Sequence, residues 1–288
     1  MSYTQEELRL WKQRIIEAEG GSFRNGAQED YWKKENNKNL VENGYDTRHW
    51  STQRILNHSA LKHVPMEVKG VVIALSSLMN SRARGKLTKG NGGESLTFTE
   101  ICKAINMDNK TVKPLLEDAE MYGIIKSSQV GASKHYALDT DYYHCGKLRG
   151  DSDFVKVFQG KIRELLAVKK NKLSCFEWGI VSELLNQMHY ESHIICNEPE
   201  NPNYTEMKVW RAKDIVERLS VTKQQVTKAM KKFNELGIIV EIKVYGLRTI
   251  IMNPEMFSRT KLKIDMDKLQ KVALAQKDNL TKKRNYIR

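Results

Sequence analysis

The stretch from residue 211 to residue 252 constrains the fold most, because its apolar residues follow first a helical and then a strand period. A shorter helix is predicted over residues 211 to 219, with residues 220 to 222 as a turn and Thr222 as the N-cap of the next helix. Between residues 223 and 236 the apolar side chains return every three or four positions, which predicts a helix with one buried face. Gly237 suits the end of that helix, and the alternation from residue 238 to 252 predicts a β-hairpin.

A helix, a turn, a second helix and a hairpin in this order resemble the winged-helix family of DNA-binding domains. The resemblance implies that the second helix is the recognition helix, because its outer side carries Gln, which bonds adenine edges, and Lys, which neutralises phosphate. The DNA-binding candidates on or beside this outer side are Thr222, Lys223, Gln224, Gln225, Thr227, Lys228, Lys231 and Lys232, with Arg248 at the hairpin wing. The alternative is an ordinary solvated helix surface, since such surfaces also carry Lys and Gln.

A second copy of this pattern lies upstream. Residues 97 to 125 align without a gap on residues 211 to 239 when they are shifted by 114, with matching apolar positions and a shared Gly-Ile-Ile. Another hairpin is predicted over residues 124 to 138. The resemblance therefore implies a mainly α fold with small β-hairpin wings (α+β), built from two winged helix-turn-helix domains in tandem, over residues 66 to 145 and 173 to 257.

The first copy departs from the second in ways that matter for DNA. Asn109, Lys110 and Lys113 are its DNA-binding candidates. Pro114 falls inside its second helix, where it removes one backbone hydrogen bond and favours a kink. Glu117, Asp118 and Glu120 stand where the second copy has two lysines and an asparagine, and carboxylates repel phosphate. These residues predict that the first copy reads DNA weakly or serves in assembly.

The remaining segments complete the predicted domain organisation. Residues 1 to 65 form an N-terminal extension with helices over 3 to 19 and 51 to 63, and residues 146 to 172 form a linker with an amphipathic helix over 153 to 170. That helix joins the domains or pairs two chains in a dimer. Apolar helices over 66 to 81 and 176 to 188 precede the two repeats, and Ser174 with Glu177 predicts a capping box at the latter.

The charge of the chain favours a polyanionic partner. The formal net charge is +13 and the pI is near 9.4. Residues 258 to 288 form a basic tail that ends with Lys282, Lys283 and Arg284, which are further DNA-contact candidates. The chain has no apolar run that would span a bilayer and no visible signal peptide, and its four cysteines are far apart. These features predict a cytoplasmic protein with reduced thiols and no membrane partner.

Candidate catalytic and metal sites are weak. His189, His193 and Cys196 have metal-like spacing, but a convincing fourth ligand is missing, so surface histidines at a helix end are favoured over zinc. The chain has no His-apolar-His triplet, no His-x-x-Arg box and no Gly-rich nucleotide loop. We therefore expect a binding protein without a cofactor rather than an enzyme.

The predicted function is sequence-specific binding of double-stranded DNA. Two tandem winged helices, an N-terminal extension and a basic tail are similar in layout to plasmid and phage replication initiators. A winged-helix transcriptional regulator or repressor is the nearest alternative, and a DNA-processing enzyme is the alternative of another class. We expect residues 151 to 288 alone to keep most of the sequence preference, because the second copy has the basic recognition helix.

Overall fold

The computed structural model describes residues 26–81, 85–89, 93–146, 154–170, 172–203, 206–244, 247–264, 267 and 269. The predicted helix over residues 3 to 19 and the tail residues Lys282, Lys283 and Arg284 lie outside these ranges. The chain divides into two compact units, one with residues 1–47 and 261–263 and one with residues 48–260 and 264–288. The smaller unit contains helix α1 (Gly26–Glu42), where the sequence pattern left the structure open.

The larger unit is a mixed α+β structure with small antiparallel sheets. Its helices are α2 (Ile55–Ser59), α3 (Met66–Ser76), α4 (Phe98–Ala104), α5 (Asn109–Met121), α6 (Gln159–Ala167), α7 (Cys175–Asn186), α8 (Ala212–Leu219) and α9 (Lys223–Glu235). Its strands are β1 (Trp50–Arg54), β2 (Ile125–Val130), β3 (Ser133–Leu138), β4 (Tyr143–Cys145), β5 (Phe154–Phe158), β6 (Ile239–Val244), β7 (Leu247–Met252) and β8 (Phe257–Ser258). None of the helices in the described ranges is long and apolar enough to cross a membrane.

A four-stranded sheet in the order β4-β1-β5-β8 corrects two of the sequence predictions. Residues 50 to 54 and 154 to 158 are its antiparallel central strands, with Thr52 opposite Lys156, where helices over 51–63 and 153–170 were predicted. The helical interpretation failed because Phe-Val-Lys-Val-Phe also fits a strand, with Val155 and Val157 fully buried in the sheet. Residues 48 to 65 therefore belong to the larger unit rather than to an N-terminal extension, and residues 146 to 172 are not simply a helical linker.

The larger unit is internally duplicated between residues 48 and 260. We call residues 48–146 the first half and residues 154–260 the second half; each runs through a central strand, a short helix, an apolar helix, a helix-turn-helix, a hairpin and an edge strand. The same left-handed backbone occurs at Asn106 (φ 53°) and Ser220 (φ 52°), which are 114 residues apart. Equivalent backbone hydrogen bonds run from Leu87 N to Tyr136 O (3.2 Å) and from Ile195 N to Ile250 O (3.0 Å). The repeat predicted over 29 positions thus continues into both hairpins and both edge strands.

The apolar helices α3 and α7, both predicted from the sequence, pack against each other at a very close crossing. A Cβ atom on Gly70 would lie 1.7 Å from the carbonyl oxygen of Cys175, and one on Gly179 would lie 2.0 Å from that of Met66. Only glycine lets the two backbones approach this closely. Beside the crossing, Lys69 and Glu183 form a buried ion pair at 2.6 Å, so polar as well as apolar contacts join the two halves.

A buried network of polar side chains also joins the halves. His58 Nε2 lies 2.9 Å from Ser182 Oγ, and His58 Nδ1 lies 2.7 Å from Asn186 Nδ2. Gln53 Nε2 donates to Asn186 Oδ1 at 2.8 Å, and Ser182 Oγ donates to Gln53 Oε1 at 2.9 Å. Every ring nitrogen and amide in this cluster therefore has a partner, as buried polar groups require.

The network makes the stability of the fold depend on pH. Burial lowers the pKa of His58 from 6.5 to about 4, and the nearby Lys69 charge lowers it further while Glu183 opposes this. The unfolded chain takes up this proton near pH 6.5 but the folded chain only near pH 4, so stability is complete above pH 6.5 and is lost as the pH falls between the two values. The loss from this one group is about 3 kcal/mol. Urea unfolding between pH 7 and pH 4 measures this loss. His58→Asn should have a lower free energy of unfolding than the parent at pH 7, and that free energy should change less with pH. An equal pH dependence in both proteins would show that His58 is not the group responsible.

Candidate nucleic-acid interface

Helix α9 is held by the elements that the sequence predicted on either side of it. Ile215 anchors α8 in the core, and Ser220 adopts the left-handed backbone that ends α8 and turns the chain towards α9. Gly237 (φ 66°) ends α9 and leads into the hairpin of β6 and β7. The buried side of α9 contains Val226, Ala229, Met230 and Phe233, as predicted. Its opposite side is consequently fixed towards solvent.

A polar stripe runs along this exposed side of α9. Gln224, Lys228 and Lys231 follow one another at steps of four and three residues, so they lie on one face, and all three are exposed. Lys228 has no ion-pair partner in the described part of the chain, and Lys231 is only loosely paired with Glu235 at 3.9 Å. Lys223 is also exposed at the start of the helix. We call Gln224, Lys228 and Lys231 the α9 stripe; it presents one amide and two ammonium groups towards solvent.

Four of the predicted DNA-binding side chains already have internal partners. Gln225 Oε1 accepts from Thr222 N and Thr222 Oγ1, both at 2.9 Å, and Thr222 Oγ1 accepts from Gln225 N at 3.2 Å. These two residues form a capping box at the start of α9. Lys232 Nζ lies 2.9 Å from Glu177 Oε2 and only 19% of its side chain is exposed, so it fastens α9 to α7. Thr227, also exposed, donates its hydroxyl to Lys223 O at 2.8 Å within the helix.

The two adjacent glutamines are therefore expected to respond differently to substitution. Gln225→Ala should lower the free energy of unfolding by about 1 kcal/mol, because the capping box is lost. Gln225→Glu keeps a carboxyl oxygen for Thr222 and should largely restore stability, whereas Gln224→Ala should leave stability unchanged. Urea denaturation of the three variants makes the comparison. Equal stability of Gln225→Ala and Gln224→Ala would show that the box contributes nothing.

The other candidates of the second half lie at or beyond the hairpin. Arg248 is in β7, opposite Lys243 in the hairpin register, next to the turn where the wing was predicted. The backbone alone is described at this position. Lys282, Lys283 and Arg284 lie outside the described residues, so their role as DNA contacts stays a prediction.

The equivalent helix α5 of the first half has a mixed surface. Asn109, Lys110 and Lys113 are exposed in the N-terminal part of α5. Pro114 is accommodated within one continuous helix from Asn109 to Met121. Glu117 is exposed one turn further on. The Glu120 carboxylate accepts from Lys134 Nζ at 2.8 Å and contacts Ser127 Oγ, which lowers its pKa and ties α5 to its hairpin. The exposed surface of α5 therefore combines two lysines with the Glu117 carboxylate, which lies four residues after Lys113 on the same side of the helix.

The histidine pair with metal-like spacing is part of the protein interior. His189 Nδ1 accepts from Ser192 N at 3.1 Å, and its Nε2 lies 3.0 Å from Asn201 O. His193 is fully buried, and burial lowers its pKa to about 3. These are not the surface histidines that the sequence favoured. No three His, Cys, Asp or Glu side chains within the described ranges come together as metal ligands.

Comparison with known proteins gives no further guide to the site. No protein-family model, curated protein or solved structure matches this chain. We therefore infer the function from the residues themselves. Sequence reasoning identified the exposed side of α9 but missed that Glu177 is the partner of Lys232, since the two residues are 55 positions apart and no local pattern connects them.

Proposed function

We propose that the chain binds double-stranded DNA in a sequence-specific manner, with α9 as the recognition helix of a winged-helix domain. The observation that carries the proposal is the α9 stripe. Gln224, Lys228 and Lys231 share one exposed face of a helix whose other face is buried, and a helix-turn-helix and a hairpin hold that helix in place. An amide that reads a base edge and lysines that contact phosphate are the groups that such a helix needs in a major groove.

In this proposal, the first half contains the weaker of the two DNA-binding winged-helix domains. Its α5 carries Lys110 and Lys113 towards solvent, but Glu117 follows them on the same helix. Carboxylates near phosphate oppose binding, so α5 contributes affinity through its first two turns and little base reading. The net charge of +13 supports a polyanionic partner for the chain as a whole.

Origin recognition in the replication of a plasmid or phage is the biological role that this arrangement favours. The two halves share one sheet and one core, so two DNA-binding helices are carried by a single compact unit rather than by one DNA-binding domain with a separate effector domain. A single body with two such helices suits a protein that occupies repeated sites at an origin. A winged-helix repressor is the alternative role.

A footprint of the protein on the genome of its source cell distinguishes these roles. Binding to an array of repeated sites, with opening of the adjacent duplex, supports origin recognition, and binding to a single promoter site supports repression. Incubation with supercoiled plasmid and Mg²⁺ tests the enzyme alternative. Nicking or relaxation of the plasmid would replace both binding roles.

A further inference from the structure

A groove of about 680 Å³ lies beside the turn that precedes α9. One wall comes from the segment between α2 and α3, including Lys62, and another from α7. Arg218, Ser220 and Val221, from the end of α8 and the turn, complete it. The volume is that of a site for a small organic molecule.

The equivalent place in the first half is filled. There, Asn106 occupies the position of Ser220, and Lys172 Nζ donates to its carbonyl oxygen at 3.3 Å. Asn106 Nδ2 also lies 3.5 Å from Val168 O, and Cys175 Sγ lies 3.3 Å from Met107 Sδ. In the second half, within the described residues, no hydrogen bond joins the segment between α2 and α3 to Ser220 or Val221. The groove is thus a specific break in the internal symmetry of the fold.

The side chains of the groove favour an anion. Lys69 and Glu183 neutralise each other in their buried pair at 2.6 Å. Lys62 and Arg218 are exposed, and neither has a carboxylate within ion-pair distance in the described part of the chain. The groove therefore has a surplus of positive charge, provided by one residue from each of two segments that line it.

The groove also offers apolar surface to a ligand. Met66, Phe176 and Val221 line it and are only half-buried. Trp210 lies behind them, is 3% exposed, and donates its indole Nε1 to Asn197 Oδ1 at 3.3 Å. The lining therefore mixes apolar and polar surface, which suits an amphipathic ligand.

We propose that this groove binds a small amphipathic organic anion, an aromatic carboxylate or sulfonate whose ring contacts Phe176 and Val221 and whose charge contacts Lys62 and Arg218. The ligand contacts the turn at Ser220 and Val221, and this turn sets the position of α9. A coupling of ligand binding to DNA binding follows from this contact and rests on the proposed function. The coupling is reciprocal: a ligand that weakens DNA binding is itself bound more weakly when DNA is present.

Two probes that differ only in charge test the site. Anilinonaphthalene sulfonate has the required ring and anion, and N-phenylnaphthylamine has the same rings without the sulfonate. Fluorescence titration of the full chain should give saturable binding of one sulfonate per protein, about tenfold tighter than the neutral probe, since a charge-assisted contact is lost with the sulfonate. The Lys62→Ala/Arg218→Ala double variant should bind both probes about equally. Lys213→Ala, which removes an exposed cation on the same helix outside the groove, should bind like the parent protein.

The outcomes separate the site from the function. Equal binding of the two probes by the parent protein, or an unchanged preference in the double variant, overturns the groove as an anion site. A shift in DNA affinity at saturating sulfonate, absent in the double variant, supports the coupling. A protein that shows the predicted probe preference but binds no duplex retains the site and contradicts the proposed function.

Discussion

Replacing Gly70 or Gly179 with alanine is expected to lower the free energy of unfolding by about 3 kcal/mol, at the upper end of what overpacking costs. A Cβ atom at either position would lie 1.7 or 2.0 Å from a backbone carbonyl oxygen of the facing helix. A backbone carbonyl cannot move aside by changing rotamer as a side chain can, so α3 and α7 must separate to make room for the Cβ atom. Their separation would disturb the core that both halves share.

Gly160 provides the matched control. It also lies in a helix, α6, but a Cβ atom there meets nothing within 4 Å. Gly160→Ala should be neutral or stabilise the fold by up to about 1 kcal/mol, because alanine is the better helix former. Urea denaturation followed by circular dichroism compares the three variants. If Gly70→Ala and Gly179→Ala are as stable as Gly160→Ala, the two helices do not cross as described.

Replacing all three residues of the α9 stripe with alanine is expected to weaken binding to the preferred duplex by about 100-fold or more. In the proposed function, the contact of Gln224 with a base edge contributes about 1–3 kcal/mol, and Lys228 and Lys231 contact phosphates. Loss of two phosphate contacts should also reduce the salt dependence of binding by about two units of slope. Fluorescence anisotropy at several salt concentrations measures both quantities, and unchanged unfolding shows that the fold is intact.

The same triple substitution on α5, at Asn109, Lys110 and Lys113, is the comparison. We expect it to weaken binding to preferred and scrambled duplexes alike, by about tenfold at most, and so to leave the sequence preference unchanged. A larger loss of preference from the α5 variant than from the α9 variant would reverse the ranking of the two halves.

Local patterns in the sequence predicted the helix-turn-helix units and both hairpins correctly. The apolar stripe of α9, the N-cap Thr222 and the stop at Gly237 are all features of neighbouring residues. The central strands β1 and β5 were predicted as helices because their identity depends on pairing between residues about 100 positions apart. The apolar stretch of β5 fits a buried strand as well as a helix, and the mostly polar stretch of β1 has no strand pattern of its own, so neither is recognised without that pairing.

The same limit applies to the candidate site. The sequence correctly places the outer side of α9 towards solvent, but it does not show which polar side chains have internal partners. Gln225 and Thr222 cap the helix, and Lys232 pairs with Glu177. Of these two contacts, only the Thr222–Gln225 capping box could have been recognised in the sequence, since its residues lie three positions apart.

The shared sheet and core also change how the two halves should be tested. The sequence suggested that residues 151 to 288 could be assayed alone. Strand β1 of the first half pairs with β5 of the second along all five residues, and α3 packs on α7. A fragment without the first half would expose both surfaces, so the contributions of α5 and α9 are best separated by surface substitutions in the full chain.

Selection from a library of random duplexes tests whether α9 recognises a specific sequence. The full chain and the α9 triple variant are each carried through the same rounds of capture and amplification at a fixed salt concentration. We expect the parent protein to enrich one common motif and the α9 variant to enrich none, although the variant still retains some duplex at low salt. Failure of the parent protein to enrich any motif, or enrichment of the same motif by the α9 variant, would contradict sequence-specific recognition by α9.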